Sequence, residues 1–265
     1  MIKESLGITY AGVHSSQLGV TNVSIEEGLF EEHFLADQTV NFIRIKNQIR
    51  SLLIDRDKQP IVHNIRLYFE NGFDNKKLRL VKQWLDKDFF EPLQFDEDYG
   101  RVYYAMLQDS SSLTHTGHED NQGYVTFSMI CDSPYSYSPI QSSQIYKYQD
   151  SKCYRQGYPV PNGKIQIYND GDFGINPLLK IKKIGNGSVE VINDGKPNDS
   201  FKIDNISDGA EITVDFEREI IESNTPNKYY YSDSNENYFT IPLGEQTLSG
   251  KGDFELEVLY ESTYL

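Results

Sequence analysis

The stretch QPIVHNIRLYFENGFDNKKLRLVKQWL, residues 59–85, contains a strand signal followed at once by a helix signal. Apolar side chains alternate with mostly polar ones from Ile61 to Phe69, and this period of two predicts a strand that buries one face. His63 lies on the apolar face of that strand. A lone histidine in such a position is more often packed in a core than bound to a ligand, so we expect a core role for it.

A helix is predicted directly after this strand. Asp74 is suited to cap it, because its carboxylate can accept a hydrogen bond from a free backbone amide of the first turn. Leu78, Val81, Trp84 and Leu85 then fall on one face, which we expect to pack on a sheet. The only tryptophan of the chain is therefore predicted to be a core residue, whereas an exposed Trp84 would mark an interface.

Further strands are predicted on both sides of this pair of elements. Upstream, GITYAGVHSSQLGVTNVSI is broken by turn-forming glycines, and EEHFLADQTVNFIRIKNQIRSLLID is interpreted as extended. Downstream, RVYYAML (101–107) and GYVTFSMICD (123–132) are predicted to be antiparallel strands. With 19 Tyr and 14 Phe in the chain, these patterns indicate a mainly β fold. Residues 1–140 are predicted to form an N-terminal β-rich domain, sandwich-like or barrel-like, with one helix over about 74–87.

The second half of the chain carries strand signals at regular spacing. They are KIQIYN, PLLKIKKI, SVEVIN, SFKID, AEITVDFE, YFTIPL and DFELEVLYE, separated by turn sequences such as NDGDFG and GNG. This predicts an antiparallel β-sandwich over residues 164–265, with the last residues able to return to the N-terminal domain. The polar, tyrosine-rich segment before it ends in Pro159, Pro161 and Gly163. Residues 141–163 are therefore predicted to be a linker or arm.

Charge and cysteine content exclude several classes of function. Forty acidic residues against 25 basic ones give a formal charge of −15, which argues against a phosphate-binding surface. The lysines at 180, 182 and 183 lie in an alternating pattern and are predicted to form an exposed strand face. Cys131 and Cys153 make neither a disulfide framework nor a zinc site. The N-terminus lacks a signal peptide pattern, so we expect a soluble protein made in the cytoplasm.

The segment HTGHED, residues 115–120, contains the residue types of metal ligands and acid–base groups. His115, His118, Glu119 and Asp120 lie, however, in a stretch rich in Ser, Thr, Asp, Asn and Gly between two predicted strands. Such a composition is typical of a solvated hairpin loop. We therefore expect a loop rather than a metal site.

A second acidic motif, DGDFG at 170–174, resembles the start of a calcium-binding loop. Asp170 and Asp172 fit that pattern, but Ile175 stands where the loop glycine belongs and Ile181 where the closing glutamate belongs. A turn before a strand is predicted instead. The hypothesis of a glycoside hydrolase with paired carboxylates stays open, because strand ends can bring any two carboxylates together. No catalytic, cofactor-binding or metal-binding residue is singled out, and no cofactor is expected.

The order of these segments resembles the distal tail proteins (Dit) of long-tailed phages and prophages of Gram-positive bacteria. The opening ITYAGVHSSQLGV is similar to the start of that family, and residues 59–85 are similar to its strand and single helix. GYVTFSMICDSPYSYSP, with Asp132 and Pro134, resembles the hairpin that ends the first domain. The sandwich, the GKGDF entry to a final strand and the terminal Tyr-Leu resemble the second domain.

The resemblance implies a non-enzymatic structural protein of the phage tail tip (baseplate). Six copies, a homohexamer, would form a ring of N-terminal domains around a channel for viral DNA, with galectin-like sandwiches outside. The implied partners are the tail tube protein, the tape measure protein, the tail-tip or tail-associated lysin protein and the receptor-binding protein used in host adsorption. The implied location is the virion tail tip, after synthesis in the host cytoplasm. The chain is too short for the carbohydrate-binding module that some relatives carry.

Two other classes of function stay open at this point. A carbohydrate-binding protein would present Tyr229, Tyr230 and Tyr231 to a sugar on the host surface. A cell-wall hydrolase would release soluble fragments from cell walls, which a binding protein would not.

Overall fold

The computed structural model of the chain describes residues 6–23, 36–108, 112–116, 121–196 and 198–265. The described part is mainly β, as predicted. The chain divides into two compact units. The first unit is Met1–Tyr137 together with Leu265, and the second unit is Ser138–Tyr264.

The first unit contains eleven strands and one α-helix among its described residues. They are β1 Ile8–Tyr10, β2 Val13–His14, β3 Val20–Asn22, β4 Gln38–Ile43, β5 Leu52–Lys58, β6 Val62–Phe69, α1 Asn75–Leu85, β7 Glu91–Phe95, β8 Tyr103–Leu107, β9 Ser112–His115, β10 Gly123–Cys131 and β11 Ser136–Tyr137. An antiparallel sheet has the order β2-β1-β7-β8-β10-β6-β3, and β9 pairs with β10 as well. Strands β4 and β5 form a separate two-stranded sheet.

The strand and the helix predicted from residues 59–85 are both confirmed. The Asp74 carboxylate accepts a hydrogen bond from the backbone amide of Lys77 at 2.7 Å and so caps α1. Trp84 is buried, and its indole Nε1 donates to the backbone carbonyl of Tyr10 at 2.9 Å. The helix therefore holds β1 through both apolar contact and a buried hydrogen bond.

The expectation of a core role for His63 is also confirmed. Its ring lies edge-on to Tyr103 at 4.5 Å and to Phe95 at 5.3 Å between ring centroids. These two aromatic residues belong to the core of the first unit.

The second unit is a two-sheet sandwich, as predicted. Its strands are β12 Gln141–Ser142, β13 Tyr146–Gln149, β14 Lys152–Arg155, β15 Tyr158–Pro159, β16 Lys164–Asn169, β17 Leu178–Lys183, β18 Gly187–Asn193, β19 Ser200–Ile206, β20 Glu211–Asp215, β21 Ile220–Ser223, β22 Gly244–Lys251, β23 Phe254–Tyr260 and β24 Thr263–Tyr264. One sheet has the order β15-β14-β13-β23-β17-β20-β21, with β12 also on β23, and the other has the order β16-β22-β18-β19. Alternating side chains of both sheets form one core.

The structure corrects the predicted linker at residues 141–163. This segment forms β12 to β15, and β12 and β13 pair with β23 inside the sandwich. Tyr146, Tyr148 and Cys153 are buried in its core. The strands are only two to four residues long, so their alternation is too brief to stand out in a polar sequence.

Two further details of the sandwich differ from the sequence prediction. YFTIPL, residues 238–243, is not a strand: Ile241 makes an isolated bridge to Ile175 and is buried there. The strands β21 and β22 were not predicted from their sequences. In β22 the buried apolar side chain is Leu248, so no alternating pattern marks it.

Candidate assembly surface

Residues 38–58 form an exposed hairpin, which we call the hairpin arm. Its strands β4 and β5 pair antiparallel with each other and with no other described strand. Strands of six and seven residues give the arm a length of about 20 Å. Between Gln38 and Ile54 it carries three basic residues and no acidic one, although the whole chain has a formal charge of −15.

Both faces of the hairpin arm are apolar and exposed. Phe42 lies opposite Leu53, and Ile43 lies opposite Leu52. Because successive residues of a strand point to opposite faces, these two pairs cover the two sides of the arm. Phe42 is 62% exposed and Leu53 is 65% exposed. An apolar surface on both sides of a hairpin is unusual on a protein that works as a monomer and is typical of a contact surface.

The base of the arm is fixed to the first unit. The amide of Gln59 donates to the carbonyl of Asp37 at 2.7 Å, which closes the hairpin. The ammonium of Lys58 lies 4.9 Å from the ring centroid of Tyr135. Ile61, just beyond, exchanges backbone hydrogen bonds with Cys131 and Ser133 at 2.8 and 3.2 Å. Among the described contacts, those that hold the arm to the first unit thus lie at its base.

The HTGHED segment is only partly within the described residues. His115 is the last residue of β9, opposite Gly123 in β10, so the antiparallel hairpin is confirmed but His115 lies in a strand instead of a loop. Its exposed ring lies 6.0 Å from the Phe73 ring, edge to face. His118, Glu119 and Asp120 lie outside the described residues.

The DGDFG segment forms a turn, as predicted. The buried Asn169 side chain accepts a hydrogen bond from the amide of Gly171 at 3.0 Å and donates to the carbonyl of Phe173 at 2.8 Å. The carboxylate of Asp170 accepts a hydrogen bond from the hydroxyl of Tyr264 at 2.9 Å. Within the described ranges, no three His, Cys, Asp or Glu side chains are grouped so that they could hold a metal ion.

The lysine cluster is an exposed strand face at two of its three positions. Lys180 and Lys182 form surface ion pairs with Glu257 at 3.7 Å and with Glu211 at 3.1 Å. Lys183 is instead 3% exposed, and its ammonium donates to the carbonyls of Ile184 and Asp253 at 2.9 and 2.7 Å. Burial lowers the pKa of Lys183. The prediction is wrong there because Lys183 continues the inward-facing alternation of β17.

The three adjacent tyrosines do not form one sugar-binding surface. Tyr230 is buried in the core, Tyr229 is exposed, and the hydroxyl of Tyr231 accepts a hydrogen bond from the amide of Ile221 at 3.0 Å. Tyr230 is therefore a structural residue.

Cys131 and Cys153 are both buried, and both carry free thiols. Burial raises the pKa of the Cys131 thiol to about 12, so this side chain stays protonated and unreactive at neutral pH. Among helices in the described part of the chain, none is long and apolar enough to cross a membrane.

The two units match the two domains of a phage tail protein family. Residues 3–133 match the family model described as the phage tail protein N-terminal domain, and residues 136–260 match the phage tail C-terminal domain. The chain therefore belongs to this class of two-domain phage tail proteins.

Within this class, the fold of the chain is like that of the Dit proteins, the family that its sequence resembles. The crystal structure of the SPP1 Dit protein (gp 19.1), described as a paradigm of the hub adsorption apparatus in phages that infect Gram-positive bacteria, has the same fold. It is 12% identical, with a TM-score of 0.63 over 98% of this chain and 99% of that chain. A chain of the phage P2 baseplate in its activated conformation with Ca is 11% identical, with a TM-score of 0.54 over 92% of this chain and 90% of that chain.

A relative is also encoded by a bacterial genome. The SPbeta prophage-derived uncharacterized protein YomH of Bacillus subtilis (strain 168) is 29% identical over 267 residues, which cover 100% of both chains. The chain thus has a full-length relative derived from a prophage.

Proposed function

We propose that this phage tail protein is the ring-forming hub of the tail tip and has a structural role with no enzymatic activity. In this proposal, copies of the first unit, six in number by analogy with the Dit family, surround a channel through which the viral DNA passes. The ring joins the tail tube protein and the tape measure protein to the tail-tip or tail-associated lysin protein and to the receptor-binding protein. Its place is the virion tail tip, after synthesis in the host cytoplasm.

The observation that carries this proposal is the hairpin arm. Its two apolar faces are left uncovered within the described chain, so burying them requires another surface. If the arm of one copy packs on a different surface of the next copy, the contact is heterologous, and a heterologous contact that closes on itself forms a ring. A ring of identical copies would cover every arm.

The direct experiment measures the size and shape of the purified full-length chain. We expect light scattering at about 0.15 M salt, where repulsion between acidic copies is largely screened, to give a defined oligomer. Electron microscopy of the same sample should give closed rings. A monomer under these conditions, both alone and mixed with the neighbouring tail proteins, would contradict the proposal.

A matched variant tests whether the arm is responsible. Val40 and Arg56 lie opposite each other in β4 and β5, so residues 41–55 can be replaced by Asn-Gly, which forms a tight two-residue hairpin turn. This shortened arm should leave the fold intact and abolish ring formation. Rings of normal size from the shortened chain would show that the arm is not needed.

A further inference from the structure

The turn of the arm combines apolar and basic side chains. Residues 44–50, RIKNQIR, are called the arm tip, and within it Ile49 is 99% exposed. Asn47 has a φ of 70° and the amide of Gln48 donates to the carbonyl of Ile45 at 3.1 Å, so the tip is a tight turn. Residues 44–49 line an open concavity of about 560 Å³. The arm tip therefore presents a positively charged concave surface with apolar walls.

A second exposed segment has the complementary character. Residues 86–91, DKDFFE, follow α1 and are called the acidic knuckle. Phe89 is 76% exposed and Phe90 is 43% exposed. Asp86 and Asp88 beside them are exposed as well. The acidic knuckle thus presents two exposed phenylalanine rings in a segment with three acidic residues and one basic residue.

The end of α1 adds to this negative charge. The last carbonyl groups of a helix carry a partial negative charge that favours cations nearby. The amide of Asp86 donates to the carbonyl of Lys82 at 2.9 Å, which places the acidic knuckle directly at that end. The knuckle is therefore suited to an apolar partner that also brings arginine or lysine side chains.

We propose that, in the ring of the proposed function and resting on it, the arm tip docks on the acidic knuckle of a second copy of this chain. Phe89 enters the concavity of the tip against Ile49, and Arg44 and Arg50 face Asp86 and Asp88. Both surfaces are exposed in the single chain, so the apolar side chains of both can be buried when two copies associate. Because tip and knuckle are different surfaces, each copy uses one of each, and the contact propagates around a ring.

A cross-linking experiment tests this contact between full-length chains. Ile49→Cys and Phe89→Cys are prepared as separate proteins with different tags, mixed under assembly conditions and oxidised mildly. The native Cys131 and Cys153 are buried and should not react. We expect a disulfide-linked adduct that contains one chain of each kind. Each variant oxidised alone should give much less disulfide-linked dimer, since the proposed contact does not bring two arm tips or two acidic knuckles together.

Charge reversal gives an independent test. Arg44→Glu with Arg50→Glu should weaken self-association about tenfold, and Asp86→Lys with Asp88→Lys should do the same. Asp86→Lys with Asp88→Lys makes the net charge less negative than −15. If repulsion between acidic copies were the only effect, this variant would therefore associate more tightly. All four changes in one chain should restore it. Lys152→Glu with Lys196→Glu, on exposed residues of the second unit, is the control and should not reproduce the loss.

The outcomes separate the docking contact from the proposed function. Rings that form normally but give no Ile49→Cys to Phe89→Cys adduct would overturn the docking contact and leave the ring standing. The variant with all four charge reversals would also count against the contact if it folds, as judged by circular dichroism, but does not recover self-association. Absence of any assembly by the unmodified chain would overturn both.

Discussion

Replacing Phe42 and Leu53 by serine should disrupt assembly without unfolding the chain. These residues face each other across β4 and β5 and are 62% and 65% exposed. Complete burial of such a side chain is worth about 1.5–3 kcal/mol. If assembly buries the exposed part of these two side chains, each side chain contributes about 1–2 kcal/mol to the free energy of association. The pair then contributes about 2–4 kcal/mol per contact. The dissociation constant should therefore rise by roughly 30-fold to several hundred-fold.

Sedimentation or light scattering over a dilution series measures this change in self-association. The free energy of unfolding of the monomer, from denaturant titration, should change by no more than about 0.5 kcal/mol, because both residues are exposed. Asn41→Ser with Asp55→Ser is the control, since these polar residues also lie opposite each other on the arm. Association as tight as that of the unmodified chain, or a large loss of monomer stability, would refute the reasoning.

Three further predictions concern the fold and the chemistry of single side chains. Trp84→Phe should lower the free energy of unfolding by about 1–3 kcal/mol, because the carbonyl of Tyr10 loses its buried donor; an unchanged denaturation midpoint would contradict this. Burial raises the pKa of Tyr103 from its ordinary value of 10.0 to about 12. The stability that its protonated hydroxyl contributes is therefore present below pH 10 and is lost as the pH rises to about 12. Tyr103→Phe should reduce this alkaline loss of stability in denaturant titrations, and an unchanged loss would argue against the assignment. His115→Ala with His118→Ala should alter stability by about 0.5 kcal/mol or less, and tight zinc binding abolished by these changes, measured by calorimetry, would restore the metal-site interpretation.

Much of the fold could be predicted because several elements carry strong local signals. Alternation from Ile61 to Phe69 predicts β6, and Asp74 with the apolar face of α1 predicts the helix and its cap. In the second unit, long alternating strands such as β20 and β23 bury every second side chain. These patterns depend on neighbours in the sequence, so no knowledge of tertiary contacts is needed.

The segment 141–163 could not be predicted because its strands are short and its first hairpin turn lacks glycine. The β13–β14 turn places Asp150 and Ser151 at φ values of 50° and 60°, where glycine or asparagine is the common choice. The strands on either side are held by pairing with β23, which is distant in the sequence. Only the tertiary structure therefore distinguishes this sheet edge from a linker.

The exposure of the hairpin arm could not be predicted for a related reason. Val40, Phe42, Ile43 and Leu53 look in the sequence like ordinary strand residues that fill a core. Their exposure follows from the absence of any other described strand beside β4 and β5, which periodicity does not reveal. A signal was present, however: apolar side chains occupy successive positions at Phe42 and Ile43 and again from Leu52 to Ile54, which requires covering on both faces.

In the proposed function, this phage tail protein forms a closed ring at the tail tip. Electron cryo-microscopy of tails that contain the chain, with an antibody fragment against a tag on the second unit, tests this most directly. We predict one ring of the chain at the distal end of the tube, with rotational symmetry, a central channel and each hairpin arm in contact with the neighbouring copy. Label along the whole tube, or single copies at the tip whose arms contact no neighbour, would contradict the claim.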